Sequence, residues 1–203
     1  MQLLDNSPME TRSSVLLNVA AVKLHVTPEE FDILCLTNPD LRLELTKDGE
    51  LIAMSPTGGE TGLRNSKLNA RFVVWNEQTN LGEVFDSSTG YDFIAIGGGK
   101  PSPDVSWIKK SRLEGVDITG FITVVPDFVV ELRSKSDAIK DVRAKMSEYQ
   151  RVGVRLGWLI NPQQQQVEIY RLGQNVEVLE APISLGGEEV LPGFLLDLRS
   201  ILL

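Results

Sequence analysis

The hydrophobic and polar positions alternate in two distinct rhythms along the chain, and the switches between them mark out the elements. Thr27-Pro28-Glu29-Glu30-Phe31 is a helix start: Thr27 can cap, proline suits the first turn, and Glu30 completes a capping box. The helix is predicted to end before Asn38-Pro39. Leu41–Leu45 alternates apolar and charged residues, which predicts a half-buried strand. Asp48-Gly49 is a hairpin turn, and "LIAMS" returns as the second strand. A long helix is predicted from about Glu60 to Thr79, stopped by Asn80 to Gly82. Glu83 to Ile96 reads as one or two short strands around a Ser-Ser-Thr-Gly turn. "DVSWI" (Asp104–Ile108) is a strand, and Lys109 to Gly120 is irregular or weakly helical. "DFVVELR" (Asp127–Arg133) is a buried strand. Ser136 or Asp137 is expected to cap a helix that runs to Val152 and stops at Gly153. "RLGWLI" (Arg155–Ile160) is another central strand. The tail predicts a β-meander of "QVEIYRL", "NVEVLE" and "EEVL", closed by "GFLLDLRSILL".

The order is hairpin, helix, strands, helix, strand, meander. It predicts an α/β class with a mixed central β-sheet, flanking helices and a C-terminal β-meander. At 203 residues one domain is expected, residues 26–203, after a loose leader at residues 1–25. The single cysteine, Cys35, excludes an internal disulfide framework and fits a cytoplasmic setting. The first thirty residues lack a signal-peptide pattern, and no apolar run reaches the roughly 20 residues of a membrane span.

Charge changes the picture locally rather than globally. The net charge of −8 argues against a general nucleic-acid binder. Arg133 to Arg155, however, holds seven bases and three acids, a net +4 that leaves −12 for the remainder. The structural alternative for this stretch is a solvated helix face.

One cysteine and one histidine exclude a Cys/His zinc site, which needs about four ligands. A Ser-His-Asp triad would depend on His25 alone. "GGGK" at Gly97–Lys100 is not a phosphate loop, because Ile94 and Pro101 occupy the positions that need Gly and Ser or Thr. It reads as a glycine turn leading into a strand. Carboxylate chemistry remains. Asp104 stands at a strand start and Glu131 deep within an apolar strand. Alternation puts Phe128, Val130 and Leu132 on one face and Val129, Glu131 and Arg133 on the other. A charge inside a buried strand is costly unless it is paired or holds a metal. The alternative is a turn aspartate and a structural ion pair between Glu131 and Arg133 or across the strands.

Pro103-Asp104 followed by Glu131-Leu132-Arg133 resembles the PD-(D/E)XK nuclease signature. The wider pattern is more specific. "PSPDVSWI", "PDFVVELRSKSD", "KMSEYQRVGVRLGWLINP" and "VEIYR" together resemble the large bacterial Uma-type family of restriction endonucleases, from about Leu41 to Leu198. The resemblance implies a restriction-endonuclease-like core, Mg²⁺ or Mn²⁺, and hydrolysis of phosphodiester bonds in a nucleic acid, with DNA the expected partner. It also implies pairing into a homodimer, for which "FLLDLRSILL" offers an apolar surface, or alternatively core. Asp104 and Glu131 would hold the cation, joined by the backbone carbonyl of Leu132.

The sequence departs from the signature at its basic residue, where Arg133 stands for lysine. Arginine can grip a phosphate but cannot accept a proton. Some relatives in the nuclease superfamily carry the lysine on the following helix. Lys145 lies there, roughly 70° from the centre of the apolar stripe. Its plainer reading is a surface pair with Asp141. Glu60 is a further candidate, since an acid on the first long helix often reaches the metal in this fold; its plainer reading is an acid near a helix N-terminus. Two other readings stay open: a binding or regulatory module that keeps the fold without turnover, and a scaffold in which the acids serve only stability.

Overall fold

The computed structural model describes residues 22–202. Of the expected leader, residues 1–21 lie outside them. Leu24–His25 instead form a short strand, β1, against Leu51 and Glu50. The first helix, α1 (Pro28–Thr37), has the predicted capping box: the Thr27 side chain accepts from the Glu30 N–H, and the Glu30 carboxylate accepts from the Thr27 N–H. Strands β2 (Arg42–Leu45) and β3 (Glu50–Met54) form the predicted hairpin, and β1-β3-β2 is a separate three-stranded sheet.

Helix α2 (Gly59–Thr79) ends at Asn80 in the left-handed conformation. Strand β4 (Gly82–Asp86) follows. The remainder to Ile96 contributes no second strand to the sheet and closes in a 3₁₀ turn at Ile94–Ile96. Next come β5 (Val105–Lys109), a short α3 (Lys110–Leu113), β6 (Phe128–Leu132), α4 (Ile139–Val152) and β7 (Leu156–Asn161). Neither Ser136 nor Asp137 caps α4. The N-cap is Ala138, with no side-chain bond, because the Asp137 carboxylate is occupied by the Ser134 N–H at 2.7 Å. Gly153, at φ +108°, stops the helix as predicted.

Strands β8 (Gln166–Arg171) and β9 (Glu177–Glu180) complete a six-stranded sheet in the order β4-β5-β6-β7-β8-β9. Only β6 and β7 run parallel, with α4 as their crossover. "EEVL" is not a strand. Residues 188–190 form a turn, with Glu188 at φ +55°, between β10 (Ser184–Gly186) and β11 (Leu195–Asp197), which pair with each other. Helix α5 (Arg199–Leu202) ends the described chain.

The pleat of the sheet sorts the core into two layers. Phe128, Val130 and Leu132 of β6, with Trp158 and Ile160 of β7, pack against Leu68, Phe72 and Trp75 of α2. Val129 and Leu159 face the other way, onto Met146 and Tyr149 of α4. Glu131 therefore points toward α4. The closing segment belongs to the first layer: Phe194, Leu196, Leu198, Ile201 and Leu202 are buried there, and Leu195 is exposed. Most of the run that offered a dimer surface is thus spent on the core.

The glycine turn at residues 97–99 fastens the small sheet to α4. The Lys100 and Leu45 backbones bond reciprocally at 2.7 and 3.1 Å, and the Gly99 N–H donates to Glu148. A Cβ at Gly99 would lie 2.1 Å from the Leu45 carbonyl oxygen and 2.8 Å from the Thr46 carbonyl carbon. Backbone cannot yield there as a side-chain tip would. Gly99→Ala is expected to cost about 1–3 kcal/mol, read as a lower urea midpoint with an unchanged slope.

Candidate active site

Asp104 ends the loop before β5, one residue outside the ladder. Its Oδ2 accepts the Leu132 N–H at 2.7 Å, and its Oδ1 accepts from the Asn65 amide of α2 at 2.9 Å. Within a strand, a residue's N–H and C=O lie on the same edge, so the Leu132 carbonyl shares the edge that faces Asp104. Glu131 is one residue back on β6 and only 7% exposed. Its Oε1 accepts from the Tyr149 hydroxyl at 2.9 Å and pairs with the Lys145 ammonium at 2.9 Å. Lys145 also reaches Glu44 Oε1 at 2.8 Å and the Ser102 carbonyl at 3.1 Å. The same Glu44 oxygen accepts the Ser102 N–H at 2.8 Å.

Asp104, Glu131, Leu132 and Lys145 thus meet in one cluster at the ends of β5 and β6. Lys145 and Tyr149 arrive together because they are four residues apart on α4, on the face that packs against the sheet. The sequence reading missed Glu44, Tyr149 and Asn65. Glu44 sits between Leu43 and Leu45, so alternation assigns it to solvent; it is 6% exposed. Tyr149 belongs to the apolar stripe, and nothing in its spacing distinguishes a site hydroxyl from a core aromatic.

The other two candidates lie apart. The chain leaves β6 after Leu132, and Arg133 turns to the end of β7. Its Nε donates to the Asp137 carbonyl at 3.1 Å and its guanidinium to Asn161 Oδ1 at 3.2 Å. It is not the neighbour of Glu131 that strand parity predicts. Glu60 is half-exposed and held by Arg64 at 3.0 Å and Lys135 at 2.7 Å. The Lys135 contact keeps its carboxyl below the usual range. From α2 it is Asn65, with Asn69 donating to the Asp104 carbonyl at 3.4 Å, and not Glu60, that touches Asp104. The basic stretch is largely consumed internally as well: Arg143 pairs with Glu168, and Arg155 with Asp127 and Glu189.

Lys145 pairs with Glu131 and Glu44, and its charge also reaches Asp104. Burial is the main cause that pushes the Glu131 carboxyl up; Lys145 opposes it, and the Asp104 and Glu44 charges add to it. Burial also raises Asp104, against the Leu132 N–H and the Lys145 charge. Burial would lower Lys145, but Glu131 and Glu44 outweigh it, and the ammonium is raised above its ordinary value. Lys145 therefore keeps its proton at neutral pH. Burial, then the Glu131 charge, holds the Tyr149 phenol well above its normal range. Tyr149 is a donor, not a base.

A divalent cation fits this donor set. Among the described residues no three His, Cys, Asp or Glu side chains gather as a metal cage. Mg²⁺ does not need one: it takes one or two carboxylates and keeps several waters. Both donors to Glu131 take Oε1, which leaves Oε2 for a cation. The Asn65 Oδ1 is a buried oxygen without a hydrogen-bond partner beside Asp104. Surplus buried negative charge and an unanswered oxygen are what a hard cation neutralises.

Comparison with known proteins agrees with this fold. Residues 28–199 match the model of the Uma2 family, whose description is "Putative restriction endonuclease". The chain is similar to a solved structure from Anabaena variabilis ATCC 29413, described as a "putative nuclease belonging to DUF820". The TM-score is 0.75, with 22% identity over 87% of this chain and 97% of that one, a likeness of fold. No curated protein matches the chain by sequence.

Proposed function

Since this chain belongs to the Uma2 family of restriction-endonuclease-like proteins, we propose that it is a divalent-metal-dependent endonuclease acting on DNA. The observation that carries this reading is the buried cluster in which Lys145 pairs with Glu131 and Glu44 and its charge reaches Asp104. The family description is what favours DNA.

Asp104, Glu131 and the Leu132 carbonyl would hold Mg²⁺ or Mn²⁺. The cation, when bound, supplies an acidified water and offsets charge on the scissile phosphate. The chain's own groups do the rest. The Leu132 N–H and Asn65 fix the Asp104 carboxylate. Tyr149 fixes the Glu131 carboxylate by donating to Oε1. Lys145, tied at three points, is a fixed positive charge aimed at the developing negative charge of the phosphate. Its raised pKa excludes it as the proton acceptor at neutral pH. Arg133 stands at the end of β7, placed for the flanking backbone rather than for the reacting phosphate.

The test is nicking of supercoiled plasmid by the full chain. Mg²⁺ or Mn²⁺ is expected to convert supercoiled to open-circular DNA, and a chelator to abolish the conversion. Equal nicking with chelator present would remove the metal reading. Cleavage of an RNA substrate alone would keep the chemistry and change the substrate. Pairing of two copies is a separate proposal, read from sedimentation on and off DNA.

A further inference from the structure

Half of the Asn65 amide is accounted for and half is not. Its Nδ2 donates to Asp104 Oδ1 at 2.9 Å, while its Oδ1 is buried without a partner. An amide oxygen left so costs about 1–3 kcal/mol. Exchanging the two amide atoms does not help, because it would set the oxygen against the Asp104 carboxylate and lose the bond. Among the described residues the other buried unpartnered polar atom is Trp158 Nε1. That indole lies among the Phe72, Phe128 and Phe194 rings, where ring faces surround it. Asn65 differs in lying beside acids and beside space. It lines an open pocket of about 640 Å³ between α2 and β4, whose walls mix Ser66, Asn69 and Ser87 with Val73, Val84 and Phe85. That volume, with its polar wall groups, admits several waters.

Among the described residues no donor reaches this oxygen. On the premise that Asp104 and Glu131 hold a cation, we propose that Asn65 is a positioning residue for that cation: Nδ2 orients Asp104, and Oδ1 accepts a hydrogen bond from a water in the cation's shell. Water on a divalent cation is a strong donor, because the charge acidifies it. An amide suits this place better than a carboxylate. It offers both a donor and an acceptor, and it adds no fourth acid to Asp104, Glu131 and Glu44. It also explains why α2 contributes Asn65 while Glu60 is spent on Arg64 and Lys135.

The experiment is Mn²⁺ binding to the full chain, read by electron paramagnetic resonance of free Mn²⁺, with thermal melts in chelator to confirm folding. Wild type is expected to bind and Asp104→Ala to lose binding. Asn65→Ala is expected to bind about 10–100-fold more weakly, the usual effect of removing a group that supports a metal's ligands. Asn65→Asp keeps an acceptor and lacks the donor to Asp104; it is expected to bind more tightly than Asn65→Ala and more weakly than wild type. Wild-type affinity in Asn65→Ala overturns the proposal. So does an Asn65→Asp protein as weak as Asn65→Ala, since the amide would then act only by holding Asp104. If Asn65→Ala does not fold, Asn65→Asp decides alone: affinity below wild type is expected, and wild-type affinity overturns the proposal. A wild type that binds no Mn²⁺, or an Asp104→Ala protein that binds it equally, removes the metal reading and this inference with it.

Discussion

Replacing Lys145 with methionine is expected to lower plasmid nicking by about 10²–10³-fold, the scale of removing one preorganised group that stabilises transition-state charge. The same change is expected to cost about 3–5 kcal/mol of stability, because it strands buried acids without their counter-charge. The side chains involved are 22% exposed for Lys145, 8% for Glu44 and 9% for Glu131, so solvent screens the pair little. Methionine keeps the length of the aliphatic stem and leaves the packing on Tyr149 nearly unchanged. Lys145→Arg separates charge from geometry. It keeps the positive charge, but its planar fork cannot reproduce the three bonds to Glu44, Glu131 and the Ser102 carbonyl. It is expected to regain stability and to recover little cleavage. Urea denaturation and initial nicking rates, taken where each variant is folded, measure the two effects. A Lys145→Met protein that nicks at the wild-type rate would show that the basic role lies elsewhere, with Arg133 the next candidate.

Glu131→Gln is the second large effect, and pH gives it a sign. In the folded protein the Glu131 carboxyl is pushed up from 4.5 to about 8, chiefly by burial. A raised folded pKa means that the proton is held more tightly in the folded state. Its stabilising contribution is complete below the unfolded value and is lost as pH rises through the folded one. Without metal, wild type is therefore expected to lose more stability than Glu131→Gln between about pH 4.5 and about 8. A cation that binds the ionised carboxylate releases that proton, so Mg²⁺ is expected to stabilise wild type increasingly as pH rises. In Glu131→Gln both trends weaken, and nicking falls by about 10²–10³-fold. Thermal melts across this range, with and without Mg²⁺, check the sign. Parallel pH profiles in chelator would show that Glu131 titrates as an ordinary acid.

Legibility differed by element. The capping box at Thr27, the hairpin at Asp48-Gly49 and the strand at 128–132 follow from local chemistry, and each stands where it was predicted. The α4 cap failed because Asp137 had a second partner, the Ser134 N–H, which competes with the helix for the same oxygen. "EEVL" has the composition of a strand but sits in a turn, with Leu191 packed into the core. Arg133 shows the limit of strand parity, which holds only while the ladder continues; β6 ends one residue earlier.

By itself the sequence determined that this is an α/β chain with two acids, Asp104 at the start of one strand and Glu131 within another, and that α4 carries Lys145 near its apolar stripe. Those features are set by nearest-neighbour periodicity. The tertiary structure alone decided which groups share the site. Glu44 meets Lys145 across 101 positions, and Asn65 meets Asp104 across 39. Contacts at such separations leave no local signal: burial of Glu44 depends on a lysine from another element, and the free oxygen of Asn65 depends on what its nitrogen holds. The same cause sets Lys145, and not Arg133, against Glu131: the sheet brings that acid to α4 rather than to the end of β7.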